Sequence, residues 1–318
     1  MARDPIDVAV GVMCDEAGRI LLARRPDGKG LSGYLEFPGG KVERGETPAE
    51  ALARELSEEI GVHADTAYSK PLIRYEYTYP GFTVRLHAYT VTRWQGEPVG
   101  AEGQELGWHE RGSLTELPLL PANRPLMHAL VLPILLRVTP LLTVEAVPAF
   151  ANTLVSLITA GEPGGIVIRL DGEAALKQLQ RHFTPVPSGA AGPVLLNLGD
   201  VATVPRGFSG LHLPGRVLYE LNRRPTGPGL MGASVHSPGE ARRARELELD
   251  YVIVGNLRAT PSHPGRPPLG WARFEEIALA AGLPAYAIGG LGPEDSELVR
   301  RHWGQGVAGI RAFWPEAG

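Results

Sequence analysis

Residues 40–62, GKVERGETPAEALARELSEEIGV, constrain this chain more than any other stretch. They read as a loop entering a helix whose two ends are both marked. Thr47 is an N-cap, Pro48 suits the first helical position, and Glu50 completes a capping box. Gly61 supplies the C-terminal stop. Between them Ala51, Leu52, Leu56 and Ile60 offer one apolar side. Glu55, Glu58 and Glu59 fall at i, i+3 and i+4 and so share another face. A Glu stripe is usually relieved by Lys or Arg four residues on. Here the nearest cation, Arg54, lies one step around the helix. A hard divalent cation such as Mg²⁺ takes carboxylate oxygens, keeps several waters and bridges to substrate phosphates. The bland reading is a solvated acidic helix.

The spacing is more specific than that. Gly40, five residues, Glu46, seven residues, Arg54-Glu55-Leu56, one residue, Glu58-Glu59, one residue, Gly61-Val62 is the full Nudix box, so the chain resembles a Nudix hydrolase. At 318 residues with 43% hydrophobic content, two ordinary cores are affordable. A net charge of −4 leaves no electrostatic footprint for nucleic acid. The single Cys14 excludes an internal disulfide and a multi-cysteine metal site. The N-terminus alternates like a strand instead of forming a leader, and the most apolar run, 126–136, is short and broken by Pro133. The expectation is a soluble, cytoplasmic protein with no membrane partner.

In the first part, residues 7–13 and 19–24 read as strands around the turn Asp15-Glu16-Ala17-Gly18, hence a hairpin. Strands also read at 72–79 and 82–94 around Pro80-Gly81, and at 106–109; 126–132 reads as a helix. Spacing alone gives mixed α and β. The resemblance implies the α/β/α sandwich of the Nudix family. It narrows further, to MutT-type enzymes that hydrolyse 8-oxo-dGTP, through AVGV (9–12), ARR (23–25), LEFPGGK (35–41), RWQGEPVGAEGQE (93–105) and LPANRPLMHAL (120–130).

That resemblance implies the site. Gly40 through its carbonyl, Glu55, Glu58, Glu59 and the loop carboxylate Glu102 would hold Mg²⁺, with Mn²⁺ as a substitute; Glu105 competes with Glu102. The four glutamates are the candidate catalytic residues, with Glu55 and Glu102 both open as general base. Glu46 and Arg54 pair as structural support. Arg25, Phe37 and Tyr79 fall at or beside nucleotide-contacting positions. Asn123, whose amide can both donate and accept, falls where the 8-oxoguanine edge is read; otherwise it is a turn Asn before Arg124-Pro125.

The first domain is expected to span 1–137 and the second 138–318. In the second, strand-like runs at 141–144, 165–169, 193–197, 210–213, 230–235, 251–254, 285–288 and 307–311 alternate with helical patterns at 172–182, 238–249, 271–281 and 294–303. Eight such runs fit a parallel, closed (β/α)₈ barrel. GLHL (210–213), GASVH (232–236), DYVI (250–253), TPSHPG (260–265) and AIGGL (287–291) are similar to thiamine-phosphate synthases and TenI-type barrels. The resemblance implies a phosphate site at Gly289, Gly290 and Gly309. It also shows departures. Arg169-Leu170-Asp171 lacks the family's Lys, the Asn-Asp metal pair is altered around Asn197 and Asp200, and Pro214-Gly215-Arg216 replaces an expected acid. A degenerate synthase with a phosphorylated ligand follows. His212, His236 and His263 either line the barrel mouth or are structural. Two further functions stay open: a Nudix hydrolase of another nucleoside or thiamine-related diphosphate, and a barrel that acts as sensor or scaffold.

Overall fold

A computed structural model describes residues 4–26, 28, 30–183, 190–198, 204–227, 229–260 and 267–314. The chain divides into two compact units, 1–131 and 132–318.

The first unit is built on β1 (Ile6–Met13), β2 (Ile20–Arg24), β3 (Leu35–Glu36), β4 (Gly39–Lys41), α1 (Pro48–Ile60), β5 (His63–Ala64), β6 (Ser69–Tyr79), β7 (Phe82–Val91), β8 (Trp94–Gln95), β9 (Glu105–His109) and α2 (Arg124–Val131). A four-stranded sheet runs β4-β1-β7-β6, and β3-β2-β9 and β5-β8 form two smaller sheets. β6 and β7 make the expected hairpin. The expected hairpin of residues 7–13 with 19–24 does not form. β1 pairs in parallel with β7, β2 pairs with β9, and a single Cys14–Ile20 bridge joins the two ends. Both strands are largely buried apolar runs; β1 pairs along its whole length with the ten-residue β7, and β2 along its whole length with β9.

Helix α1 forms as its sequence dictates. Thr47 Oγ1 accepts from the Glu50 N–H at 3.3 Å, the Glu50 carboxylate accepts from the Thr47 N–H at 2.8 Å, and Gly61 closes the helix at φ 69°. Ala51, Leu52, Leu56 and Ile60 are fully buried, so the carboxylate face is turned toward β4 and away from the core.

The second unit is a closed barrel of eight parallel strands: β10 (Leu135–Leu142), β11 (Gly165–Leu170), β12 (Val194–Asn197), β13 (Gly210–Leu213), β14 (Leu230–Val235), β15 (Tyr251–Gly255), β16 (Ala285–Ile288) and β17 (Gly306–Gly309). Helices α3 (Val147–Thr159), α4 (Gly172–Phe183), α5 (Pro238–Glu246), α6 (Gly270–Ala281) and α7 (Ser296–Arg301) lie between them. β10 begins ahead of the expected run 141–144, so residue 137 lies inside a barrel strand and the division precedes the expected 137/138 boundary. Alternation along the strands separates two cores. Val167, Leu195, Tyr251, Ile253, Tyr286 and Ala308 fill the barrel interior, while Ile168, Leu196, Val252, Val254 and Ala287 face the helices. No helix among the described residues is long and apolar enough to cross a membrane.

Candidate active site

Strand β4 lays Gly39 and Gly40 against Val10 and Ala9 of β1, and α1 returns over them. The fit is close. A Cβ on Gly40 would stand 2.2 Å from the Glu55 carboxylate carbon. The Gly39 N–H donates to Glu59 Oε2 at 3.1 Å. Burial raises the Glu59 pKa to about 7, against the lowering effect of that N–H and with Glu55, Glu36 and Glu102 adding like charge. A part-buried carboxylate among three others is a donor set that fits a hard divalent cation.

Arg54 holds the loop on the helix. Its Nε and Nη2 donate to both Glu46 oxygens at 2.8 and 3.0 Å, and Nη2 also reaches the Lys41 carbonyl at 3.0 Å. Those bonds, with the Glu43 N–H, hold the Glu46 pKa down to about 2. Arg54 does more than the sequence assigns it. Its Nη1 donates to Glu55 at 3.0 Å and to the exposed Glu58 at 3.1 Å. Among the described residues, no three His, Cys, Asp or Glu side chains already stand at metal-binding spacing. The box carboxylates are gathered by Arg54 and by Gly39.

The distant carboxylate is carried in by helix capping. The last carbonyls of α1 lack intrahelical donors. Ala101 N–H and Gln104 Nε2 donate to the Glu59 carbonyl at 2.9 and 2.7 Å, and Gln104 Oε1 accepts from the Glu102 N–H at 2.8 Å. This seats exposed Glu102 near enough for its charge to act on Glu59. Glu105 is instead a β9 residue, tied to Arg24 at 3.0 Å. Sequence reading missed Gln104 as the anchor and Glu36 as a neighbouring acid. The alternation of Leu35-Glu36-Phe37, with two apolar residues flanking the acid, was the available signal for Glu36.

The expected substrate residues separate into two groups. Arg25 Nη1 bonds Glu36, and both charges act on Tyr79, whose ring stacks on Phe82 at 5.1 Å. Phe37 is 3% exposed and packs in the unit's core with Val10, Leu22 and Leu35, so its ring presents no open face. Asn123 is also 3% exposed, and its Nδ2 has no hydrogen-bond partner among the described residues. The Tyr75 hydroxyl, donating to the Ala122 carbonyl at 2.7 Å, fixes the turn that carries it.

Each unit has known relatives. The family model "NUDIX domain" matches residues 5–130, and "Thiamine monophosphate synthase" matches residues 200–313. An 8-oxo-dGTP diphosphatase of Haemophilus influenzae is 44% identical over 130 residues, 41% of this chain and 94% of that protein. The thiamine-phosphate synthase of Roseiflexus sp. is 32% identical over 169 residues, 51% of this chain and 72% of that protein. The chain belongs to the Nudix family by its first unit and to the thiamine monophosphate synthase family by its second. The 8-oxo-dGTP diphosphatase of Escherichia coli is 38% identical, with 39% of this chain and 95% of that protein aligned. The first unit is therefore a Nudix pyrophosphohydrolase, of a family dependent on divalent metal.

The synthase-family barrel opens into a cavity of about 1110 Å³ at the C-terminal ends of its strands, the end where (β/α)₈ sites lie. Gly289, Gly290 and Gly309 line it, as do His212 and His236. Asp200 and His263 lie outside the described residues. His212 is fully buried; burial, helped by the Arg169 charge, holds its pKa down to about 3 from 6.5. Between those values the unfolded chain binds the extra proton, so stability rises with pH. The contribution is full above pH 6.5 and drains as pH falls toward about 3. Calorimetry is expected to find the barrel losing about 3 kcal/mol from this group by pH 4. His212→Asn is expected to flatten that slope.

Proposed function

We propose that the Nudix unit hydrolyses oxidised purine nucleoside triphosphates, 8-oxo-dGTP foremost, to the monophosphate and pyrophosphate, cleansing the cytoplasmic nucleotide pool before replication uses it. The observation that carries this reading is the buried Asn123 Nδ2, which has no partner among the described residues. An unsatisfied buried donor costs about 1–3 kcal/mol, which an acceptor on a purine edge returns; preference for the oxidised base would come from the amide oxygen, which can accept from the N7–H that 8-oxoguanine carries and guanine lacks. Tyr79 supplies a ring for stacking and Arg25 a cation, while Phe37 serves as the floor behind them. The names of the two diphosphatase relatives support the same substrate.

Gly40 by its carbonyl, with Glu55, Glu58, Glu59 and Glu102, would hold Mg²⁺. When bound, that ion neutralises charge on the transferring phosphoryl oxygens. Glu55 or Glu102 takes the proton of the water that attacks the β-phosphorus. Arg54 and Glu46 keep the loop in register with the helix.

The test is kcat/KM for 8-oxo-dGTP against dGTP, measured with Mg²⁺. A strong preference for the oxidised base is expected, and equal turnover sinks the reading. Asn123→Ala is expected to lower kcat/KM for 8-oxo-dGTP about tenfold or more, with a smaller loss for dGTP. The fused synthase-family barrel favours a second reading, in which a thiamine-related diphosphate is the substrate. A panel of nucleoside and thiamine di- and triphosphates separates the two.

For the barrel we infer a degenerate synthase that binds a phosphorylated small molecule at Gly289, Gly290 and Gly309. The missing Lys after Arg169 and the missing acid at Pro214-Gly215-Arg216 support this. Thiamine phosphate formed by the full-length protein would overturn it.

A further inference from the structure

The turn that carries Asn123 has little of its own to hold it. It is a short 3₁₀ turn, Pro121–Asn123, running into α2, and Leu120 at its start brings no side-chain cap. Ala122 lies ahead of α2, which begins at Arg124. Pro125, three residues past Ala122, has no N–H to offer the Ala122 carbonyl. A buried carbonyl needs a donor, and Ala122 is 3% exposed. Among the described residues it accepts from the Tyr75 hydroxyl of β6, at 2.7 Å and from 47 residues away in sequence. Burial pushes the Tyr75 phenol well above its ordinary range, so it stays a donor at every working pH.

The second hold comes from β3. The Asn123 N–H donates to the Leu120 carbonyl at 2.8 Å, the Leu120 N–H to the Leu35 carbonyl at 3.1 Å, and the Leu35 N–H to the Pro118 carbonyl at 2.9 Å. From Leu35 the chain runs on through Glu36, Phe37 and Pro38 to Gly39, whose N–H holds Glu59. This backbone path sets how far the turn stands from the carboxylate face of α1. The β3 bonds reach no further than Leu120, whereas the Tyr75 bond reaches the residue next to Asn123.

Asn123 Nδ2 has no partner among the described residues, so the aim of that nitrogen is set through the backbone. Aim matters to a reader of base edges, because a hydrogen bond weakens steeply as its angle closes. Rotation of the Ala122–Asn123 peptide swings the whole side chain, and the Tyr75 bond opposes that rotation.

We propose that Tyr75 is a specificity-determining positioning residue of the Nudix unit: by holding the Ala122 carbonyl it aims the Asn123 amide, and so sets the discrimination for the oxidised base without touching the base itself. This rests on the reading of Asn123 given above. Asn123 touches the nucleotide; Tyr75 acts through it.

The experiment uses the full-length protein with Mg²⁺, 8-oxo-dGTP and dGTP. Tyr75→Phe keeps the ring and removes the hydroxyl. It is expected to lower kcat/KM for 8-oxo-dGTP about fivefold or more, chiefly through KM, with a smaller loss for dGTP, so that the ratio falls. In an Asn123→Ala background the same substitution should change the ratio by less than about twofold, because the group it aims is gone. Leu130→Val, a core change further along α2, should cost stability and leave the ratio where it is. Without nucleotide, hydrogen exchange of the Asn123 backbone amide, followed by NMR, should speed up about fivefold or more in Tyr75→Phe. Equal losses for both nucleotides overturn the proposal, and so does an undiminished effect on the ratio once Asn123 is already alanine. Unchanged exchange at Asn123 overturns the hold itself. A wild-type protein that turns over both nucleotides equally overturns the reading of Asn123 and Tyr75's part in selectivity together, while the exchange rate still reports separately on the hold.

Discussion

Glu58→Gln is expected to lower Mg²⁺-dependent turnover by about a thousandfold or more while leaving the fold in place. The substitution keeps shape and removes one negative charge. Glu58 lies on the face of α1 away from the buried Ala51, Leu52, Leu56 and Ile60, and its side chain is 60% exposed. Its one described tie is the Arg54 bond at 3.1 Å, and an exposed ion pair of this kind contributes little to stability. The melting temperature should therefore hold. On the proposed reading, what is lost is one of the hard anionic oxygens that would hold Mg²⁺. Two readouts separate this from a general effect. Mn²⁺ binding by electron paramagnetic resonance should weaken with Glu58→Gln. Glu50→Gln, which alters the capping box on the same helix, should cost a little stability and leave Mn²⁺ affinity alone. Near-normal pyrophosphate release by Glu58→Gln would remove Glu58 from the metal site.

Gly232→Ala is expected to destabilise the barrel by about 3 kcal/mol or more, lowering its unfolding transition by about 10 °C. A Cβ on Gly232 would lie 2.1 Å from Cζ of Tyr251. That ring is fully buried at the centre of the barrel and packs edge-on to Tyr286 at 5.8 Å. It has no open space to move into, and any shift also breaks its bond to His212. Glycine stands here because of its neighbour, not its backbone angle. The pair Gly232→Ala with Tyr251→Leu should therefore regain much of the loss. A Gly232→Ala barrel melting within a degree or two of wild type would refute the contact.

The legible parts of this chain were local ones. The capping box, Pro48 and Gly61 fixed α1 within a residue, because each acts over a single helical turn. The short apolar runs from Gly165 onward coincide closely with β11 to β17, since β-branched and apolar residues bounded by turns have few other uses. The misreadings lie where an apolar run serves helix and strand equally. Residues 126–132 read as a helix and the next strand as 141–144, yet α2 spans Arg124–Val131 and β10 already starts at Leu135, just past Pro133. Helix α3 was not foreseen, because its sequence, VPAFANTLVSLIT, carries no capping side chain at Ala146 and few charges to mark a face.

The candidate site divides the same way. The sequence by itself determined that three glutamates share a face of α1, since helical geometry leaves no other result for positions 55, 58 and 59. It also determined, through relatives across both halves, the two families. Tertiary structure alone decided that Gln104 docks the Glu102 loop on the end of α1 and that Glu36 stands among the acids. It alone buried Phe37 and left Asn123 Nδ2 without a partner among the described residues. It alone joined Tyr251, His212 and Ser234. The physical reason is that capping and periodicity act within a few residues, whereas these contacts join residues 39 to 45 apart for the Tyr251–His212 and Gln104–Glu59 bonds, and only the packed chain sets which carbonyl, which acid and which hydroxyl lie within reach.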